Sequence, residues 1–194
     1  EKYSILVIRS KFFVDDSFMS LADNLRIIAR AGSGMDNIDD IAATARGLKC
    51  INAPEGNRNA VAEHALGLML NLLRNIHKSG REVRYNSWLR EENRGRELSE
   101  ITVGIVGYGN TGEALAQKLN ALGCTVLFFD KFRKNIPTSF ARESLLDEIG
   151  ELADVVSFHI PLTKENAGII DKTMIESFKK KVILLNVSRG GIMQ

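Results

Sequence analysis

The stretch Ile101-Thr102-Val103-Gly104-Ile105-Val106-Gly107-Tyr108-Gly109-Asn110-Thr111-Gly112 decides the fold. An apolar strand runs straight into a G-x-G-x-x-G turn, and the helical pattern Glu113 to Leu122 follows. A second apolar run, Val126-Leu127-Phe128-Phe129, ends in Asp130, eighteen residues past Gly112. Strand, glycine turn, helix, strand and terminal acid are the parts of a dinucleotide-binding unit. Gly107 makes the tight turn, Gly109 lets the backbone approach a pyrophosphate, and Gly112 lets the helix pack close to the strand. Asn110 and Thr111, inside the turn, are candidate cofactor-binding residues, and the first N–H groups and positive dipole end of the helix that follows suit phosphates.

A glycine-rich turn can also serve packing alone, and an acid at a strand end can be a plain solvated cap. The flanking strands and the spacing favour a nucleotide site, with Asp130 on the ribose. An acid there favours NAD over NADP. A 2′-phosphate at roughly 4 Å would meet repulsion on the order of 4 kcal/mol per unit charge at an effective dielectric of about 20. Lys131, Arg133 and Lys134 lie just beyond and soften that penalty.

Working outward, the 194 residues give room for one large domain or two small ones. The 26 basic and 24 acidic residues nearly balance, which argues against a dedicated nucleic-acid surface. No apolar stretch approaches the ~18 residues that span a bilayer. No signal-peptide pattern opens the chain, so a cytoplasmic location is expected. Cys50 and Cys124 have no metal spacing, and both read as buried small hydrophobes in a reducing compartment. The chain opens on a strand without an initiator Met and stops at Gly190-Gly191-Ile192-Met193-Gln194. Truncation at both ends is the expectation.

Before the glycine turn the pattern alternates. Strands are expected at Ile5–Ile8, Arg26–Ala29 and Leu48–Ile51, with helices at Asp16–Leu25 and Asp39–Arg46, the latter closed by Gly47. A long helix from about Asn59 to Ile76 carries apolar residues on several faces and is expected to be buried nearly all round. In it His64 reads as a structural core histidine and His77 as a C-terminal cap. A second helix is expected over Gly80–Leu89, followed by a solvated charged linker, Glu91–Glu97. Beyond Asp130 the pattern gives a helix over Leu145–Leu152, a strand over Asp154–Phe158, a helix over Asp171–Phe178 and a strand over Val182–Val187. Alternating strands and helices imply an α/β fold with a parallel sheet.

In open parallel sheets, ligands sit outside the carboxyl ends of the strands. The residues just past those ends are Arg9-Ser10-Lys11, Arg30 to Ser33-Gly34, Asn57, the Gly107 turn, His159-Ile160-Pro161 and Ser188-Arg189-Gly190. Three of these segments bring an arginine, which binds carboxylates in bidentate fashion. A redox cofactor with converging arginines suggests a small anionic oxo- or hydroxy-acid.

The segments Arg30-Ala-Gly-Ser-Gly-Met-Asp-Asn-Ile-Asp39, Asn52-Ala-Pro54 and Ala62-Glu-His64 carry a more specific likeness. With the Gly107 fingerprint, His159-Ile-Pro-Leu-Thr163 and Asn186-Val-Ser-Arg-Gly-Gly191, the chain resembles the D-isomer-specific 2-hydroxyacid dehydrogenase family. Ile8-Arg9-Ser10-Lys11 and Asn57-Arg58 look most like its phosphoglycerate-oxidising members, which serve serine biosynthesis. The resemblance implies a Rossmann-type NAD-binding domain over residues 56–194 and part of a flavodoxin-like substrate domain over residues 1–55. It implies that Arg189 is the catalytic arginine and that the backbone at Ser33 and Gly34 binds the substrate carboxylate. Arg9, Ser10, Lys11, Arg30 and Asn57 would line the substrate side. His159, Pro161, Val187 and Ser188 would flank the cofactor. The family's acid–base histidine and its glutamate would fall past residue 194, so this piece alone would be inactive. A homodimer or higher homo-oligomer is expected, with the long apolar helix contributing to its interface. Some relatives act instead as NAD-sensing corepressors that bind peptides, which leaves a binding protein as the alternative.

Overall fold

The structure is a computed structural model that describes residues 2–194. It divides into two compact units, one ending at Arg58 and the other running Asn59–Gln194.

The first unit runs β1 (Ile5–Ile8), α1 (Asp16–Met19), β2 (Ile27–Arg30), α2 (Asp40–Ala45) and β3 (Lys49–Asn52). All three strands are parallel, with β2 in the middle. Asp15 and Asp39 cap the two helices, accepting from Phe18 N at 2.8 Å and Ala42 N at 2.9 Å. Gly47 leaves α2 at φ +68°. The helix expected over Asp16–Leu25 is only one turn long. Ser20 ends it, and tight turns carry the chain on through Asp23-Asn24, residues that favour turns over helix. The core is Ile8, Val14, Met19, Leu25, Ile28, Ile38 and Ala43.

The second unit opens with α3 (Arg58–Leu73) and α4 (Ile76–Arg84). A Rossmann-type alternation follows: β4 (Thr102–Val106), α5 (Asn110–Ala121), β5 (Thr125–Phe129), β6 (Arg142–Glu143), α6 (Leu146–Leu152), β7 (Val155–Phe158), α7 (Lys172–Ser177) and β8 (Ile183–Asn186). The sheet is parallel in the order β6-β5-β4-β7-β8. The chain leaves β4 toward one edge and returns on its other side at β7. That reversal makes the carboxyl end of β4 the switch point where ligands bind.

Side-chain alternation gives the sheet two cores. Val103, Ile105, Val126 and Phe128 face Ala65 and Met69 of α3 and Leu115 and Leu119 of α5. Val106, Leu127, Val156 and Phe158 face Ile149 of α6. Gly104 admits α6, since a Cβ there would stand 2.4 Å from Ile149 Cγ2.

Several expectations are corrected by the structure. The long helix is not buried nearly all round: only Ala62, Ala65, Met69 and Leu73 are buried. His64 is exposed and so is no core histidine. The helix also breaks earlier, because Asn75 adopts the left-handed conformation (φ +53°) and α4 begins at Ile76 rather than Gly80. His77 therefore sits in the first turn of α4, donating its N–H to Asn71 Oδ1 at 2.9 Å, and caps nothing. The linker after α4 is not wholly solvated: Asn93 is half-buried and donates to Glu82 Oε2 and Leu89 O. Cys124 is buried, whereas Cys50 is only half-buried.

Candidate cofactor site

The glycine turn is shaped by close approach. Gly107 has φ +96°, and a Cβ there would come 2.8 Å from the His159 carbonyl oxygen. A Cβ on Gly112 would stand 2.3 Å from Gly107 O, so α5 seats on β4 only without a side chain. Gly109 is different: a Cβ there would meet nothing within 4 Å. No side chain caps α5, which leaves its first N–H groups for an anion. Open backbone at an uncapped helix start fits a pyrophosphate.

Tyr108, between the glycines, turns inward. It is fully buried, stacks on Phe128 with ring centroids 3.9 Å apart, and shares a hydrogen bond with Thr138 Oγ1 at 3.0 Å. Its backbone N–H donates to Asp130 Oδ2 at 2.8 Å, tying the turn to the end of β5. Asp130 Oδ1 accepts from the N–H groups of Phe132 and Arg133, each at 2.9 Å. Burial opposes the charge on Asp130 most strongly. The three N–H bonds and the Arg133 charge outweigh it, so the carboxyl stays below the usual carboxylate range.

The three cations beyond Asp130 are each engaged. Arg133 Nη1 donates to Tyr108 O at 2.8 Å, Lys134 Nζ donates to Asp130 O, and Lys131 pairs with Glu165 at 3.1 Å. An ionised acid braced from its own backbone suits ribose hydroxyls and repels a 2′-phosphate.

The ends of β7 and β8 complete this rim. His159 Nδ1 lies 3.1 Å from Thr111 Oγ1, and Nε2 lies 2.9 Å from Ser157 Oγ. Burial pushes the imidazole down to about 4, so it is neutral at pH 7. Pro161 is exposed, with its carbonyl accepting from Asn166 Nδ2 at 3.0 Å, and Val187 is half-buried against the α5-side core. Ser188 Oγ donates to Phe158 O at 2.9 Å, joining β8 to β7. Asn186 grips the turn twice, donating to Arg189 O at 2.9 Å and accepting from Ser188 N at 3.0 Å. That grip presents Arg189 exposed at the strand end.

The remaining expected residues lie in the first unit, past the carboxyl ends of its own strands. Arg9, Ser10, Lys11 and Asn57 are exposed, and Arg30, Ser33 and Gly34 are half-buried. Asn37 Nδ2 donates to Arg9 O at 3.2 Å and Phe12 O at 2.9 Å, which draws the loops after β1 and β2 together. Asn52 Nδ2 donates to Ser33 O at 2.6 Å and ties in β3. The Arg30 guanidinium folds over Gly32, where a Cβ would meet Nη1 at 2.0 Å. Its Nε is buried with no hydrogen-bond partner among the described residues. Sequence reasoning missed the bracing roles of Tyr108, Asn37, Asn52 and Asn186, whose partners are carbonyls and rings brought close only by folding.

Among the described residues, no cluster of His, Cys, Asp or Glu could hold a metal ion, and no helix is long and apolar enough to cross a membrane.

A parallel sheet with this turn and this acid at its switch point defines a dinucleotide-binding domain. The chain belongs to the D-isomer specific 2-hydroxyacid dehydrogenase family, whose NAD binding domain matches residues 66–194. NAD is the cofactor of this domain. The chain is 42% identical over 194 residues to the D-3-phosphoglycerate dehydrogenase of Archaeoglobus fulgidus, covering 99% of this chain and 37% of that one. It is 35% identical to the hydroxypyruvate reductase of Thermotoga maritima, covering 96% of this chain and 61% of that one. It is also similar to the solved structure of D-lactate dehydrogenase from Aquifex aeolicus complexed with NAD and lactic acid. There the TM-score is 0.88 at 26% identity, over 100% of this chain and 59% of that one. The chain spans less than two thirds of the length of each of these relatives.

Proposed function

We propose that the intact protein is a NAD-dependent D-2-hydroxyacid dehydrogenase, that its substrate is 3-phosphoglycerate, and that it serves serine biosynthesis in the cytoplasm. The observation that carries this reading is the Asn186 grip on the Ser188–Arg189 turn, which fixes the Arg189 backbone at the rim of the cofactor sheet, where its exposed guanidinium donates to Ser188 O at 3.1 Å. A guanidinium there clamps the substrate carboxylate and polarises the carbon–oxygen bond at the reacting carbon. When bound, NAD supplies the hydride acceptor. The Gly107–Gly112 turn holds the pyrophosphate and Asp130 the ribose. His159, Pro161, Val187 and Ser188 wall the same rim.

Residues 1–55 act as the substrate side. Arg9, Ser10 and Lys11 offer charge-assisted donors that match a phosphate, and Arg30 with the Ser33–Gly34 backbone suits the carboxylate. Likeness to a D-3-phosphoglycerate dehydrogenase supports the phosphate. Exposed Leu72, Ile76 and Val83 on or beside α3 and α4 support a homodimer through that region.

The test measures NADH formation by the intact protein with D-3-phosphoglycerate, D-glycerate and D-lactate. The phosphorylated acid should lead in kcat/KM by about 100-fold, the scale of one or two charge-assisted bonds. Arg9→Ala with Lys11→Ala should erase that lead. Equal rates on all three acids would overturn the substrate assignment.

A further inference from the structure

Three polar side chains thread from β7 to the start of α5. Ser157 is fully buried, and its Oγ meets His159 Nε2 at 2.9 Å. The other ring nitrogen, Nδ1, meets Thr111 Oγ1 at 3.1 Å. A neutral imidazole has one donor nitrogen and one acceptor nitrogen, so the chain must run one way or the other. The Ser157 hydroxyl has no other hydrogen-bond partner among the described residues. A buried hydroxyl with no acceptor for its proton is costly. Ser157 therefore donates to Nε2, the ring proton sits on Nδ1, and Nδ1–H donates to Thr111 Oγ1. Burial keeps the ring neutral, as that pattern requires. The one proton left over is on the Thr111 hydroxyl, which is only half-buried, in the first turn of the uncapped helix. Polarity thus runs from the buried end of the chain to the end that meets ligand.

We infer that His159 is a positioning residue that fixes the Thr111 hydroxyl as a donor to the pyrophosphate of the cofactor. This rests on the placement of the pyrophosphate at the Gly107–Gly112 turn. Each bond in the chain polarises the next, so the last donor is stronger than an isolated hydroxyl. The turn gains a side-chain contact besides its backbone N–H groups.

The test uses the intact protein, with ADP-ribose and adenosine as probes in binding titrations. Thr111→Val keeps the shape and removes the hydroxyl. It should weaken ADP-ribose about tenfold, the scale of a hydrogen bond to a charged group, and leave adenosine unchanged. His159→Asn places an amide N–H near the position of Nδ1 and should retain most of the affinity. His159→Gln places its amide near Nε2 and should not. Nitrogen-15 NMR of the unaltered protein should show His159 protonated on Nδ1. Gly109→Val separates the two readings, because it must cut ADP-ribose binding if the turn holds the pyrophosphate. Loss with Gly109→Val but wild-type binding with Thr111→Val would overturn the role of His159 and leave the turn assignment standing. Normal binding with Gly109→Val would overturn both, and a proton on Nε2 would overturn the relay. If the His159 variants fail to fold, Thr111→Val and the NMR signature still decide.

Discussion

The two sheets are both parallel, yet only one is covered on both faces. Every residue of β7 is buried, and β4 is buried from Val103 to Val106. In β1 only Ile8 is buried, while Ile5 is 53% and Val7 69% exposed. Parallel sheets ordinarily hide both faces. The cofactor rim is therefore built on packed strands, with Asp130, Asn186 and Ser188 bonded to backbone across it. The residues proposed for the substrate side stand on loops drawn together by Asn37 and Asn52. Both rims carry side-chain bonds, but only those of the second unit stand on strands that are buried nearly throughout.

The sharpest way to break this contrast is inside the glycine turn. Gly112→Val drives side-chain atoms into Gly107 O and Ile105, where even a Cβ would stand 2.3 Å and 3.2 Å away. It should cost about 3 kcal/mol or more in denaturant unfolding and abolish measurable NADH binding. Gly109→Ala should leave the unfolding midpoint alone, because its Cβ meets nothing within 4 Å. If both variants destabilise equally, the division between packing glycine and approach glycine is wrong.

In the first unit the matching pair is Ile28→Ala and Val7→Ser. Ile28 is fully buried and should cost about 3 kcal/mol. Val7 should cost less than about 0.5 kcal/mol if its face is open. A cost for Val7→Ser near that of Ile28→Ala would show that the intact protein covers this face as well.

What the sequence showed and hid follows the same physics. The turn, Asp130 and the alternation of strands and helices were legible because residue type and spacing carry them. β6 was not, since Arg142 and Glu143 make a two-residue charged edge strand with no apolar alternation. A break after the long helix was legible, but its position was not, since only the left-handed turn at Asn75 ends α3 at Leu73 and starts α4 at Ile76. Which face of α3 is covered could not be read either, because apolar residues occur on several. The partnership of His159 with Thr111 spans 48 positions and exists only after folding.

Acid titration separates the units next. The folded pKa of His159 is pushed down to about 4, below the ~6.5 of an unfolded histidine. The unfolded state then binds the proton more readily, so stability falls as pH drops from about 6.5 toward 4. Asp130 and Asp154 extend that loss to lower pH. Burial opposes the charge of each most strongly, yet backbone N–H bonds and nearby cations hold both carboxyls below their usual range. Chemical unfolding as a function of pH should show the first part of the slope in the second unit, and His159→Asn should flatten it. An unchanged slope in that variant would remove His159 as its source.

The smallest effect belongs to Lys131→Ala. Lys131 follows β5 and Glu165 follows β7, the two strands that flank β4, so their ion pair joins the loops on either side of the switch point. Position alone suggests a latch over the cofactor. Exposure argues otherwise: the side chains are 60% and 72% accessible, and such pairs contribute about 0–1 kcal/mol. The loops have stronger local anchors, Asp130 to Phe132 and Arg133 on one side and Asn166 to Pro161 on the other. Lys131→Ala should thus shift NADH affinity less than about twofold, with the shift vanishing at high salt. A larger, salt-insensitive change would mean that this ion pair holds the second unit's rim more firmly than its exposure allows, and the contrast with the first unit would fail at that point.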